Sequence, residues 1–110
     1  LIAVPFEEGD KTFKLFLTAE LKATTNKSIR ISPHQVAFHL RHLDAPSFIV
    51  VLYIDVKDRG LQDLIYLYHG KQVKDLMVMG LDTPPLFKCL RTRMDWPLFE
   101  VRMLDAVYSV

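Results

Sequence analysis

Glu20 and Lys22 stand two residues apart in Ala19-Glu20-Leu21-Lys22-Ala23. On an extended strand that spacing aims a carboxylate and an ammonium from the same face. Two opposite charges aimed together can form a hollow where a cation and a phosphate meet. They can equally be an ordinary ion pair on a solvated strand, which contributes little to stability.

A second set of charged residues surrounds them. Between Lys11 and His42 the six cations Lys11, Lys14, Lys22, Lys27, Arg30 and Arg41 accompany one anion, Glu20. Lys27 and Arg30, at the expected tip of a turn, are placed to touch phosphates together with the free amides at the start of the following helix. A solvated basic rim balanced by acids elsewhere is the bland alternative. His39 and His42 have helical i, i+3 spacing but no carboxylate or cysteine at matching spacing, so they read as structural. Tyr53, Tyr66 and Tyr68 lie on alternating apolar strands and read as core aromatics rather than a base-stacking set. Cys89 reads as a buried thiol.

The elements that must position these residues follow from periodicity. Thr12 to Thr24 alternates with a period of two, with Phe13, Leu15, Leu17, Ala19, Leu21 and Ala23 on the face expected to be buried. Ile2 to Phe6 is an earlier strand joined through the turn Glu7-Glu8-Gly9-Asp10. Ser28 to Ile31 is expected to be a short strand completing an antiparallel meander. Ser32 then caps a helix with Pro33 at its first position and Val36, Leu40 and Leu43 on one face, ending before Pro46. Phe48 to Ile54 is a continuous apolar run suited to the middle of a sheet. Leu64 to Tyr68 is a strand beside it, Lys71 to Met79 a helix stopped by Gly80, and Phe87 to Met94 an ambiguous strand. Asp95 caps a last helix with Leu98, Val101, Leu104 and Tyr108 on one side. The class is α/β, a mixed β-sheet flanked by helices.

Composition narrows the rest. The 110 residues, half of them hydrophobic and with net charge +1, suit one domain over 1–110 with a core of its own. A single cysteine excludes a disulfide framework and a multi-cysteine zinc cluster, and points to a reducing, cytoplasmic compartment. No apolar run approaches the roughly 20 residues of a membrane-spanning helix. The apolar ends, and a first residue other than Met, read as a fragment of a longer chain, N-terminally incomplete.

The order of strand, hairpin, strand bearing Glu-x-Lys, capped helix and apolar central strand resembles the PD-(D/E)xK, or restriction-endonuclease-like, nuclease superfamily, in an uncharacterised prokaryotic branch. The resemblance rests on Ala19-Glu20-Leu21-Lys22-Ala23-Thr24-Thr25, on Ser28-Ile29-Arg30-Ile31-Ser32, on Pro46 to Asp55, on Ile65-Tyr66-Leu67-Tyr68 and on Lys88 to Arg93. It implies a magnesium- or manganese-dependent endonuclease domain that hydrolyses DNA, with Glu20 as metal ligand and Lys22 orienting or deprotonating the attacking water. It also implies a place in antiviral defence, beside further domains of a parent chain. The chemistry is coherent: hard oxygen ligands suit magnesium, and an ammonium stabilises developing negative charge.

The superfamily's first acid is an Asp on the preceding strand. Asp10 lies about 33 Å from Glu20 along an extended chain at roughly 3.3 Å per residue, too far to share an ion. An antiparallel register instead puts Glu20's neighbour two or three positions before Leu1. Gln35 stands where the Q-x-x-x-Y helix of some relatives would begin, but the Tyr position is His39, so that motif is not matched. The rival expectation is a catalytically inactive relative, keeping the sheet as a scaffold for self-association or a protein partner.

Overall fold

The structure, a computed structural model, describes residues 2–8, 11–41, 47–57 and 62–108, with side chains for 18–40, 47–57 and 62–107. The elements are β1 (Ile2–Glu8), β2 (Lys11–Thr24), α1 (Pro33–Arg41), β3 (Ser47–Tyr53), β4 (Leu64–His69), α2 (Val73–Met79), β5 (Phe87–Leu90) and α3 (Trp96–Tyr108). Short 3-10 turns at Gly70–Gln72, Gly80–Asp82 and Arg91–Arg93 join the later elements. The fold is a mixed α/β sheet flanked by helices, as expected.

The strands lie in the order β1-β2-β3-β4-β5. β2 is long enough, at 14 residues, to serve two partners. Its first half pairs antiparallel with β1, from Glu8↔Lys11 to Ile2↔Leu17. Its second half pairs in parallel with β3, from Thr18↔Ser47 to Thr24↔Tyr53. β4 is antiparallel to β3, and β5 to β4. Residues 9–10, 42–46 and 58–61, on which the sequence places a turn, the approach to Pro46 and part of a solvated loop, lie outside the described residues.

The continuous apolar run places β3 at the centre. Phe48, Ile49 and Val51 are fully buried, because a strand covered on both faces has no solvated side for alternation. Ile49 and Val51 join Tyr66, Tyr68, Val73 and Leu76 in a core beneath α1 and α2. Phe48 joins Leu67, Phe87, Phe99 and Met103 in a second core beneath α3. The Tyr68 hydroxyl donates to the Thr83 carbonyl at 3.0 Å, and burial pushes its pKa well above the usual tyrosine value, with Tyr66 and Asp82 adding to the effect. Tyr66 and Tyr68 are therefore core residues, as expected.

Three expectations are corrected. Ser28 to Ile31 forms no strand. Ile29 is buried in the α1 side core, and the loop's carbonyls find other donors: Lys27 accepts from the Leu81 amide at 2.8 Å, and Arg30 from the Lys22 ammonium at 2.8 Å. The meander is thus replaced by a parallel β2–α1–β3 crossover. The inner side of α3 is Phe99 and Met103, whereas Leu98 and Val101 are exposed. Asp95 does cap this helix, accepting from the Leu98 amide at 3.0 Å.

The third correction concerns β2. The apolar side was expected to be the buried one, but Leu21 is 78% exposed, while the side chains of Glu20 and Lys22 are only 25% and 16% exposed. Glu20 and Lys22 share the face of their parallel partners Ile49 and Val51, which is the face that α1 covers. α3 packs on the other side, with Phe99 and Met103 against Phe48 and Leu67, and Leu21 remains exposed.

Gly80 ends α2 with φ +60°, a left-handed conformation that a side chain disfavours. A Cβ there would also stand 2.1 Å from the Lys27 carbonyl oxygen. Among the described residues no helix is long and apolar enough to cross a membrane.

Candidate functional site

The site is built where α1 lies over the second half of β2. Ser32 and Gln35 form a reciprocal cap: the Gln35 amide donates to Ser32 Oγ at 3.2 Å, and the Ser32 amide donates to Gln35 Oε1 at 2.9 Å. With its first turn fixed in this way, Gln35 reaches the sheet. Its Oε1 also accepts from Lys22 Nζ at 2.9 Å, and its Nε2 donates to Glu20 Oε1. The amide has one workable orientation, since the reverse would aim its NH2 at an ammonium and a backbone N–H.

One turn further along α1, His39 is 1% exposed. Its Nε2 lies 2.9 Å from Glu20 Oε2 and its Nδ1 3.0 Å from Ser47 Oγ, at the start of β3. A carboxylate only accepts, so Nε2 carries the hydrogen; the Ser47 hydroxyl can rotate to donate to Nδ1 or to accept from it. Gly70 closes the pocket from the far side, where a Cβ would come within 2.0 Å of Ser47 Oγ and 2.9 Å of His39 Nδ1.

Glu20 and Lys22 are therefore brought together, with Oε1 and Nζ 3.6 Å apart. Each carboxylate oxygen receives one protein donor, Gln35 or His39, and keeps further lone-pair capacity. The carboxylate opens onto a cleft of about 420 Å³ lined by Thr18, Ala19, Glu20, His34, Gln35 and Phe38. In its floor Thr18 Oγ1 is buried without a hydrogen-bond partner, two residues before Glu20 on the same strand face. Beyond Lys22, a larger cleft of about 630 Å³ is lined by Thr24, Thr25, Asn26, Ser28, Arg30 and Ile54 among others. It lies at the carboxyl ends of the parallel strands β2 and β3, where open α/β sheets commonly bind ligands.

Lys27 and Arg30 do not join the pair. Arg30 is exposed on the wall of the larger cleft. Lys27 forms an exposed ion pair with Asp82 at 3.6 Å. Of the two helix histidines, His39 serves the carboxylate, and His42 lies outside the described residues. Cys89 is half-buried, with Sγ 3.3 Å from Met94 Sδ, and burial raises its pKa above the usual thiol value, which keeps it a thiol.

Ser47 and Thr18 escaped assignment from the sequence, which reads His39 as structural and gives Gln35 no role at the site. The spacing of Gln35 and His39, one helical turn apart, carried a signal: i and i+4 residues face one way. Nothing in the sequence announced Ser47 or Thr18.

Among the described residues no group of three or more His, Cys, Asp or Glu side chains could hold a metal ion. Magnesium is commonly held by one or two carboxylates, with waters and substrate phosphates completing its shell. Glu20, with the unpartnered Thr18 hydroxyl beside it, fits such a partial set of hard oxygen donors. Compared with known proteins, the chain matches no protein-family model, no curated protein and no solved structure.

Proposed function

We propose that this domain is a divalent-metal-dependent nuclease of restriction-endonuclease-like architecture that hydrolyses DNA phosphodiester bonds. The observation that carries the reading is the Glu20–Lys22 pair, 3.6 Å apart on the covered face of β2, with Glu20 lining one cleft and Lys22 the neighbouring larger one. Glu20 and Thr18 are the residues that would hold Mg2+ or Mn2+. Such an ion supplies Lewis-acid polarisation of the phosphate and a bound water of lowered pKa. His39 and Gln35 hold the Glu20 carboxylate in one orientation, so no reorganisation is needed as charge develops. Lys22, kept close by Arg30 and Gln35, offsets negative charge gathering on the phosphoryl oxygens. Arg30 contributes to phosphate binding from the neighbouring cleft, and Lys27 adds positive charge at the exposed turn.

The superfamily's first acid would come from the strand beside β2. The decisive assay incubates the complete parent protein with plasmid and Mg2+ or Mn2+, beside Glu20→Ala and Lys22→Ala. Cleavage by the parent and its loss in both folded variants supports the reading; equal cleavage by all three rejects it.

A second reading is an inactive scaffold for self-association or partner binding. It is favoured by an exposed apolar patch where the start of α3 meets β2, with Leu21 and Trp96 78% and 61% exposed. Sedimentation of Leu21→Lys and Trp96→Ser proteins tests it, since loss of an oligomer with cleavage absent throughout would favour this role.

A further inference from the structure

Lys22 lines the larger cleft and Gln35 the smaller, and the hydrogen bond between them links the two linings. They differ in chemistry. On the Glu20 side, His34 and Phe38 sit at i and i+4 of α1, so two aromatic rings share the helix face above the strand floor Thr18-Ala19-Glu20. Phe38 is 37% exposed, and its ring meets His39 edge-on, with centroids 5.3 Å apart and planes at 82°. His39 is itself pinned between Glu20 and Ser47, so this aromatic wall is rigidly tied to the carboxylate. On the Lys22 side the lining is hydroxyl, amide and guanidinium: Thr24, Thr25, Asn26, Ser28 and Arg30.

An aromatic slot, a charged pair and a cationic hydroxyl-rich groove, in that order, match the parts of one nucleic-acid strand. A base has a π-face to stack, and the neighbouring sugar-phosphate needs donors and positive charge. A volume of about 420 Å³ falls in the range of small-ligand pockets and is large enough for a nucleoside. A base inside a duplex is already stacked and paired, and withdrawing it costs a few kcal/mol. An unpaired strand avoids most of that cost.

We propose that the cleft of His34 and Phe38 is a nucleobase subsite and that the domain acts on single-stranded nucleic acid, laid from this slot across Glu20 and Lys22 into the Arg30 groove. The proposal rests on the nuclease reading for the position of the scissile phosphate, but the base subsite is read by binding alone.

The test measures fluorescence anisotropy of labelled oligothymidylate, free or annealed to its complement, with the full-length protein in chelator, which blocks a metal-dependent cut and leaves the Glu20–His39 contact in place. The single strand is expected to bind about tenfold or more tightly than the duplex. Adding Phe38→Leu, which keeps apolar bulk but removes the π-face, should weaken single-strand binding by about tenfold and leave duplex binding unchanged. Phe38→Trp should restore it, with indole fluorescence quenched as the base stacks. Arg30→Ala should weaken both forms and reduce the salt dependence by about one charge.

Equal affinity for single strand and duplex, no binding of either, or unchanged binding by a folded Phe38→Leu protein would overturn the proposal. Should the leucine variant not fold, an unquenched Phe38→Trp complex overturns it and a quenched one supports it. If binding behaves as expected while the parent protein cuts nothing, the nuclease reading falls and the base subsite stands. Cleavage that needs Glu20 and Lys22 but is indifferent to Phe38→Leu has the opposite meaning.

Discussion

His39 Nε2 lies 2.9 Å from Glu20 Oε2, joining a helix and a strand through side chains 19 residues apart. The imidazole is fully enclosed and the carboxylate only partly so, which makes the histidine the fixed member of the pair. Replacing His39 with Ala therefore leaves Ser47 Oγ without a partner in a closed pocket and creates a void. The expected loss is about 2–4 kcal/mol from an orphaned polar group plus a cavity. Urea unfolding of the two proteins measures it; a change within experimental scatter would contradict this account of the pocket.

Gly70→Ala is expected to destabilise by about 1–3 kcal/mol, because the added methyl overlaps Ser47 Oγ and crowds His39 Nδ1. The cause is steric, so the Ser47→Ala/Gly70→Ala double variant should recover part of the loss. A double-mutant cycle reads that coupling, and strict additivity would place the strain elsewhere.

Gln35 supports both the start of α1 and the carboxylate. Gln35→Ala removes the reciprocal cap and the donor to Glu20 Oε1, with an expected cost of about 0.5–2 kcal/mol. Gln35→Glu is a sharper probe. It keeps an acceptor for Lys22 and the Ser32 amide but sets a second carboxylate against Glu20 Oε1, so its stability should fall with rising pH across the carboxylate range. A pH-independent difference from the parent would argue against this contact.

His69 makes the fold sensitive to acid. Burial, with Lys71 and then His39 nearby, lowers its pKa below the usual 6.5. Its Nδ1 also accepts from the Lys71 amide at 3.0 Å, a bond that only the unprotonated nitrogen can make. The unfolded chain therefore takes up the proton first, so this contribution is complete above about pH 6.5 and declines as pH falls below it. Thermal unfolding should show Tm dropping from pH 7 to pH 5 in the parent and dropping less in His69→Asn, whose carbonyl oxygen can still accept. Equal slopes in the two proteins would show that other groups govern the acid response.

Local rules made much of the fold legible. The seven-residue apolar run became the central β3, the alternation through Thr24 became β2, and the Ser32-Pro33 and Asp95 signals began helices where expected. These features depend on neighbours in the chain, which a sequence displays. Ser28 to Ile31 mimics a strand through its alternation, but the Arg30 carbonyl is taken by the Lys22 ammonium, and the carbonyl of the preceding Lys27 by the Leu81 amide, distant in sequence.

The candidate site divides in the same way. By itself the sequence determined that Glu20 and Lys22 share a strand face, because side-chain alternation is a property of the extended backbone. Only the tertiary structure decided which face α1 would cover, reversing the expectation from hydrophobicity at Leu21. It also decided that Gln35, His39 and Ser47 would close around the carboxylate and that Phe38 would wall its cleft. Those contacts follow from the parallel β2–α1–β3 crossover, which brings the helix across the strand at a register that no local pattern encodes.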